Sequence, residues 1–159
     1  MKAATIKEIK EELKHLSQSE LVELCCRMAR FRKENKELLS YLLFESHNED
    51  EYIQSVKEHA DFQFSEISSA NSLYLVKKSL RKILRTINKY IRYTGSKTAG
   101  IQMHIYFCRK VKQSRIPIKK SIALTNLYEG QLKKIRKELT GLHEDLQYDY
   151  IKELVLLEK

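Results

Sequence analysis

Five short clusters carry side chains capable of chemistry. Tyr93-Thr94-Gly95-Ser96-Lys97-Thr98 holds a Gly-x-Lys-Thr fragment. The phosphate loop of nucleotide hydrolases needs a second glycine five residues upstream, a glycine directly before the lysine, and a preceding strand. Here position 90 is Tyr, Ser96 precedes Lys97, and the residues before the fragment read as helix. The fragment therefore does not read as such a loop. A simpler chemistry remains: Ser96, Lys97 and Thr98 open a helix, and the free amides of a helix N-terminus attract anions. With Arg92 one turn earlier, this connector can hold one phosphate. An ordinary helix cap accounts for the same residues.

His104 and Cys108 are spaced i, i+4, as two metal ligands on one helix would be. Two ligands do not make a zinc site, and His15, His47, His59, His143, Cys25 and Cys26 have no cluster spacing. His104 reads as a core-edge histidine. The three cysteines, two of them adjacent, are not a disulfide framework and read as small apolar side chains. An adjacent pair closes only a strained ring, which argues against Cys25-Cys26 as a redox sensor. Glu49-Asp50-Glu51 and Glu144-Asp145 read as first-turn helix acids rather than an acid–base pair. Tyr41, Tyr52, Tyr128, Tyr148 and Tyr150 read as core-edge aromatics. No catalytic residue, metal ligand or cofactor site is assigned, and the chain does not read as an enzyme.

The elements that position these residues are helices. Of 159 residues, 42% are hydrophobic and 32% charged, with four Gly, one Pro and no Trp. That is too apolar for a disordered tail and too poor in turn residues for a sandwich or barrel. Apolar spacing follows the helical period nearly everywhere. Ile6, Ile9, Leu13 and Leu16 form one stripe. Ser17-Gln18-Ser19-Glu20 is a capping box opening a helix with Leu21, Leu24, Cys25 and Met28 on one face. Further helices are predicted over 33–45, 51–66, 73–93, 101–113, 121–139 and 142–157. Polar breaks fall at 46–50 and 68–72, and glycine stops at Gly95 and Gly141. The segment 101–113 is apolar on most sides and belongs at the centre. Its alternating Ile101, Met103, Ile105 and Phe107 would also suit a strand, but no second strand is available to pair with it. Short connections favour antiparallel neighbours.

The expected fold is all-α: one domain, an irregular bundle of seven or eight helices in antiparallel hairpins, with a short α-solenoid as the alternative. No apolar run is long enough for a signal peptide or a membrane span, which predicts a cytoplasmic protein.

Charge is segregated along the chain. Residues 1–66 carry a net −4, residues 67–128 a net +14 with no acid at all, and residues 129–159 a net −1. The long helix concentrates the positive block. At about 100° per residue, Lys77, Lys78, Arg81, Lys82, Arg85, Lys89 and Arg92 fall within one arc of about 140°. Leu73, Val76, Leu80, Ile83, Leu84, Ile87, Tyr90 and Ile91 occupy the opposite arc, so the helix is amphipathic with a purely cationic polar face. Like charges at helical spacing cost a few tenths of a kcal/mol each, and an anion opposite them relieves that cost.

Three anions fit. Nucleic acid offers phosphates along a groove, with Tyr74 and Tyr93 in or beside the stripe as stacking platforms. The protein's own acidic part offers Glu34, Glu37, Glu45, Glu49, Asp50, Glu51 and Glu58, within the chain or across a homodimer. Another acidic protein is the third. A solvated basic face without a ligand accounts for the same pattern. A membrane surface would need the apolar arc exposed, so no membrane partner is expected. The leading expectation is a non-catalytic binding protein that holds nucleic acid or another polyanion on Lys77, Lys78, Arg81, Lys82, Arg85, Lys89, Arg92 and Lys97. Arg109, Lys110 and Lys112 lend lesser help. The alternative is a scaffold whose basic face docks an acidic protein surface.

The opening Leu16-Ser17-Gln18-Ser19-Glu20-Leu21-Val22-Glu23-Leu24, followed by Leu38-Leu39-Ser40-Tyr41-Leu42-Leu43-Phe44, resembles the start of small uncharacterised bacterial all-helical proteins. The resemblance covers about a fifth of the chain. It implies a helical fold and brings no functional residue.

Overall fold

The computed structural model describes residues 2–68, 72–114 and 116–158. Eight α-helices and no strand occur among them: α1 (Ile6–Leu13), α2 (Gln18–Phe31), α3 (Lys33–Ser40), α4 (Glu49–Ser65), α5 (Leu73–Thr94), α6 (Lys97–Gln113), α7 (Ile122–Leu139) and α8 (Glu144–Glu158). A π-helical turn, Tyr41–Glu45, follows α3, and a 3₁₀ turn, Ile118–Lys120, precedes α7. This is the expected all-α bundle. The break expected at 68–72 falls partly on residues 69–71, outside the described ones. The chain divides into two compact units, 1–44 and 45–159. That division differs from the division by charge at residue 66, because the acidic α4 packs with the basic α5 in the second unit.

Local rules explain the first unit. Thr5 and Glu8 form a reciprocal capping box on α1, and Ser17 and Glu20 form another on α2. Arg32 is extended (φ −144°, ψ 147°) and separates α2 from α3. The Asn35 side-chain amide donates to the Met28 carbonyl across that turn at 2.9 Å. No residue of α1, α2 or α3 is buried.

The second unit holds a continuous core centred on α6. Ile101, Met103, His104, Ile105, Phe107, Cys108 and Val111 are all buried, as expected for the segment placed centrally. α6 packs against α4, α5, α7 and α8. Pairings fix the directions. Asn88 meets His104 and Ile91 approaches Gly100, so α5 and α6 are antiparallel. Gln102 bonds Tyr150, and Lys112 donates to the Leu156 carbonyl, so α8 runs parallel to α6. Phe64 of α4 tilts against Phe107 with ring centroids 5.7 Å apart. Tyr128 of α7 is buried and donates to the Leu157 carbonyl at 2.8 Å.

α5 shows how sequence becomes surface. Ser72 caps its start by accepting from the Leu75 amide. Its end is set by Gly95 at φ +64°, whose amide donates to the Ile91 carbonyl. Val76, Leu80, Ile83, Leu84 and Ile87 are buried on one face. The opposite face carries the lysines and arginines.

Candidate functional site

The outward face of α5 carries the cations. Lys78, Arg81, Lys82, Arg85 and Arg92 are exposed, and Lys77 and Lys89 are half-buried. Lys77 Nζ stands 5.7 Å from the Tyr74 ring centroid, and Lys89 Nζ 4.9 Å from that of Tyr90. Among the described residues, no carboxylate of the second unit forms an ion pair with Lys78, Arg81, Lys82, Arg85 or Arg92. Four of the five acids of α4 are engaged elsewhere. Glu49 accepts from Ser96 Oγ at 3.1 Å, Glu51 from Asn48, Glu58 from Gln54, and Asp61 pairs with Lys110 at 2.8 Å. From Lys78 to Arg92 the exposed cations extend about 21 Å at 1.5 Å per residue.

The two tyrosines expected as stacking platforms differ. Tyr74 is 67% exposed beside the stripe. Tyr93 is half-buried and packs edge-on against Tyr90, with centroids 6.0 Å apart, so its ring faces are part of a packed aromatic group that also includes Tyr52 and His59. Three of the four cations of α6 are also engaged: Arg109 with Glu153, Lys110 with Asp61, and Lys112 with the Leu156 carbonyl. Their side chains hold α4, α6 and α8 together.

The connector after α5 differs from the expected one-phosphate cradle. Ser96 caps α6 by accepting from the Ala99 amide, and its hydroxyl also donates to Glu49. A carboxylate of the fold thus already faces this helix end. Lys97 turns the other way, its Nζ 3.7 Å from where a Cβ on Gly141 would stand. There it lines a cleft of about 600 Å³ with Lys134, Lys137 and Glu138.

Beneath that cleft lies a polar group that sequence reading missed. His104 is 0% exposed rather than at the core edge. Its Nε2 is 2.9 Å from Asn88 Oδ1 and 3.1 Å from Lys134 Nζ, and Lys134 also donates to Asn88 Oδ1 at 3.2 Å. Its Nδ1 is 3.5 Å from Glu138 Oε2. Burial and then the Lys134 charge push the imidazole down to about 4, so it is neutral at pH 7. Cys108, one turn on, is held as a thiol because burial raises it to about 12. Among the described residues, no group of three or more His, Cys, Asp or Glu is placed to hold a metal. Among the same residues, no helix is long and apolar enough to cross a membrane.

No known protein family, curated protein or solved structure matches the chain.

Proposed function

We propose that this chain is a non-catalytic polyanion-binding protein, and that its ligand is nucleic acid held on the outward face of α5. One observation supports this reading above the others. Five exposed cations share one helix face, anchored by a buried apolar face, and among the described residues no acid of their own unit pairs with them. Fixed ammonium and guanidinium groups on a rigid helix release counterions when phosphates bind, which gives affinity without sequence readout. Tyr74 adds one exposed ring beside the stripe for base stacking.

The test is fluorescence anisotropy with a labelled single-stranded RNA and the matching duplex DNA, between about 50 and about 200 mM salt. Five phosphate contacts predict a log–log salt slope of about −4.5 on duplex and about −3.5 on single strands. Replacing Lys78, Arg81 and Arg85 by Ala removes three contacts and flattens the slope by about 2 to 3. Absence of binding at the lower salt overturns the reading and moves the basic face to an acidic protein partner.

A further inference from the structure

The cleft at the C-terminal end of α5 is built differently from the stripe. Three helices shape it: the end of α5 with Ile91, the first turns of α6 with Lys97 and Gly100, and the last two turns of α7 with Lys134, Lys137 and Glu138. Its volume of about 600 Å³ lies within the range of small-molecule sites. Gly95, Gly100 and Gly141 contribute walls without side chains. Gly100 faces Ile91 so closely that a Cβ there would sit 3.3 Å from Ile91 Cγ2, so the α5–α6 wall is tightly packed.

Charge decides what fits. The lining residues bring three ammonium groups and one carboxylate, a surplus of two positive charges. Glu49, the nearest acid at the head of α6, bonds Ser96 and does not line the cleft. The cations are not equivalent. Lys134 is fixed by Asn88 and His104 in the core below, so its position is set by the fold. Lys137, exposed on the last turn of α7, has no carboxylate partner. Glu138 turns Oε2 inward, where it is buried without a hydrogen-bond partner, 3.5 Å from His104 Nδ1. That leaves Oε1, 3.9 Å from Lys134 Nζ, as the oxygen that can accept from a ligand. A surplus of two charges matches a dianion better than a single carboxylate, and an accepting oxygen beside it asks for a donor on the same ligand.

We propose that this cleft binds a small phosphate monoester bearing a hydroxyl group, of sugar-phosphate size. The phosphate lies among Lys97, Lys134 and Lys137, and the hydroxyl donates to Glu138. The proposal rests on the cleft alone and is independent of the α5 stripe.

Isothermal titration calorimetry of the full chain tests it, with ribose 5-phosphate as probe and ribose and inorganic phosphate as its two halves. Ribose 5-phosphate is expected to bind about ten-fold more tightly than inorganic phosphate, and ribose alone not at all. Lys137→Ala lies on the surface, should leave the melting temperature unchanged, and should weaken ribose 5-phosphate by about ten-fold. Glu138→Gln should narrow the gap between ribose 5-phosphate and inorganic phosphate. Amide chemical-shift changes at Gly95, Gly100 and Gly141 locate the ligand in the wild-type chain without any variant. The triple α5 variant should leave this binding intact, so failure of either reading is seen separately. No binding up to about 10 mM, equal affinity for ribose 5-phosphate and phosphate, indifference to Lys137→Ala, or shifts confined to α5 would each overturn the proposal.

Discussion

The side chain most altered by its surroundings is His104. Its neutral imidazole is enclosed by Asn88 from α5, Lys134 and Glu138 from α7, and the α6 backbone. Protonation would put a second positive charge 3.1 Å from Lys134 Nζ on a fully buried ring. The folded chain therefore holds the imidazole at about 4, against 6.5 for an unperturbed histidine. The unfolded chain binds the extra proton as pH falls below 6.5, while the folded chain resists it until about 4. Stability from this group is thus complete above 6.5 and is lost as pH falls through that window. Linkage gives a loss of about 2 kcal/mol between pH 7 and pH 5. Denaturant unfolding at the two pH values measures it, and His104→Gln, which cannot titrate, should lose correspondingly less over the same interval. A pH response equal to the wild type would show that the imidazole is not the group responsible. None of this environment was legible in the sequence. The i, i+4 spacing of His104 and Cys108 was visible, but the partners that define His104 lie 16 to 34 residues away and on other helices.

At the scale of the element, α5 was the most readable part of the chain. Its apolar arc became the buried face, its cations the exposed one, and Gly95 its left-handed stop. The period of the apolar residues alone determines such a division, so no tertiary information is needed. Readability failed where competing helical geometries differ little. The segment 33–45 reads as one helix, yet the α-helix stops at Ser40 and continues as a π turn to Glu45. The role of Lys97 was equally hidden, because it depends on Gly141 arriving from α7. Two substitutions separate the faces of α5. Ile87→Ala removes a fully buried side chain at the α5 core face and should cost about 2 to 5 kcal/mol. Arg85→Ala, on the exposed face, should stay within about 0.5 kcal/mol of the wild type. Gly95→Ala should cost about 1 kcal/mol, since nothing crowds its Cβ and the positive φ supplies the whole penalty. Thermal or denaturant melts rank the three. A neutral Ile87→Ala would contradict the packing of α5 against the core.

At the scale of the whole molecule, stability is distributed unequally between the two units. Unit 45–159 buries side chains on each of α4 to α8, and its central α6 is covered by four other helices. Helices α1 to α3 of unit 1–44 bury none of their residues, and Phe31 is 78% exposed. Good caps do not replace a core. α1 and α3 have eight residues each, below the roughly 12 to 15 at which even strong helix formers are stable alone in water. Most helical stability comes from packing of an apolar face, and none of the residues of these helices is fully buried. Amide hydrogen exchange should therefore find α1 to α3 opening far below the global unfolding free energy, with protection at least about a hundred-fold lower than in α6. Urea should erase the residual α1–α3 protection before that of α6. Protection in α1 to α3 equal to that in α6 would mean that their apolar faces are covered in solution. A dependence of that protection on protein concentration would then identify a second copy of the chain as the cover.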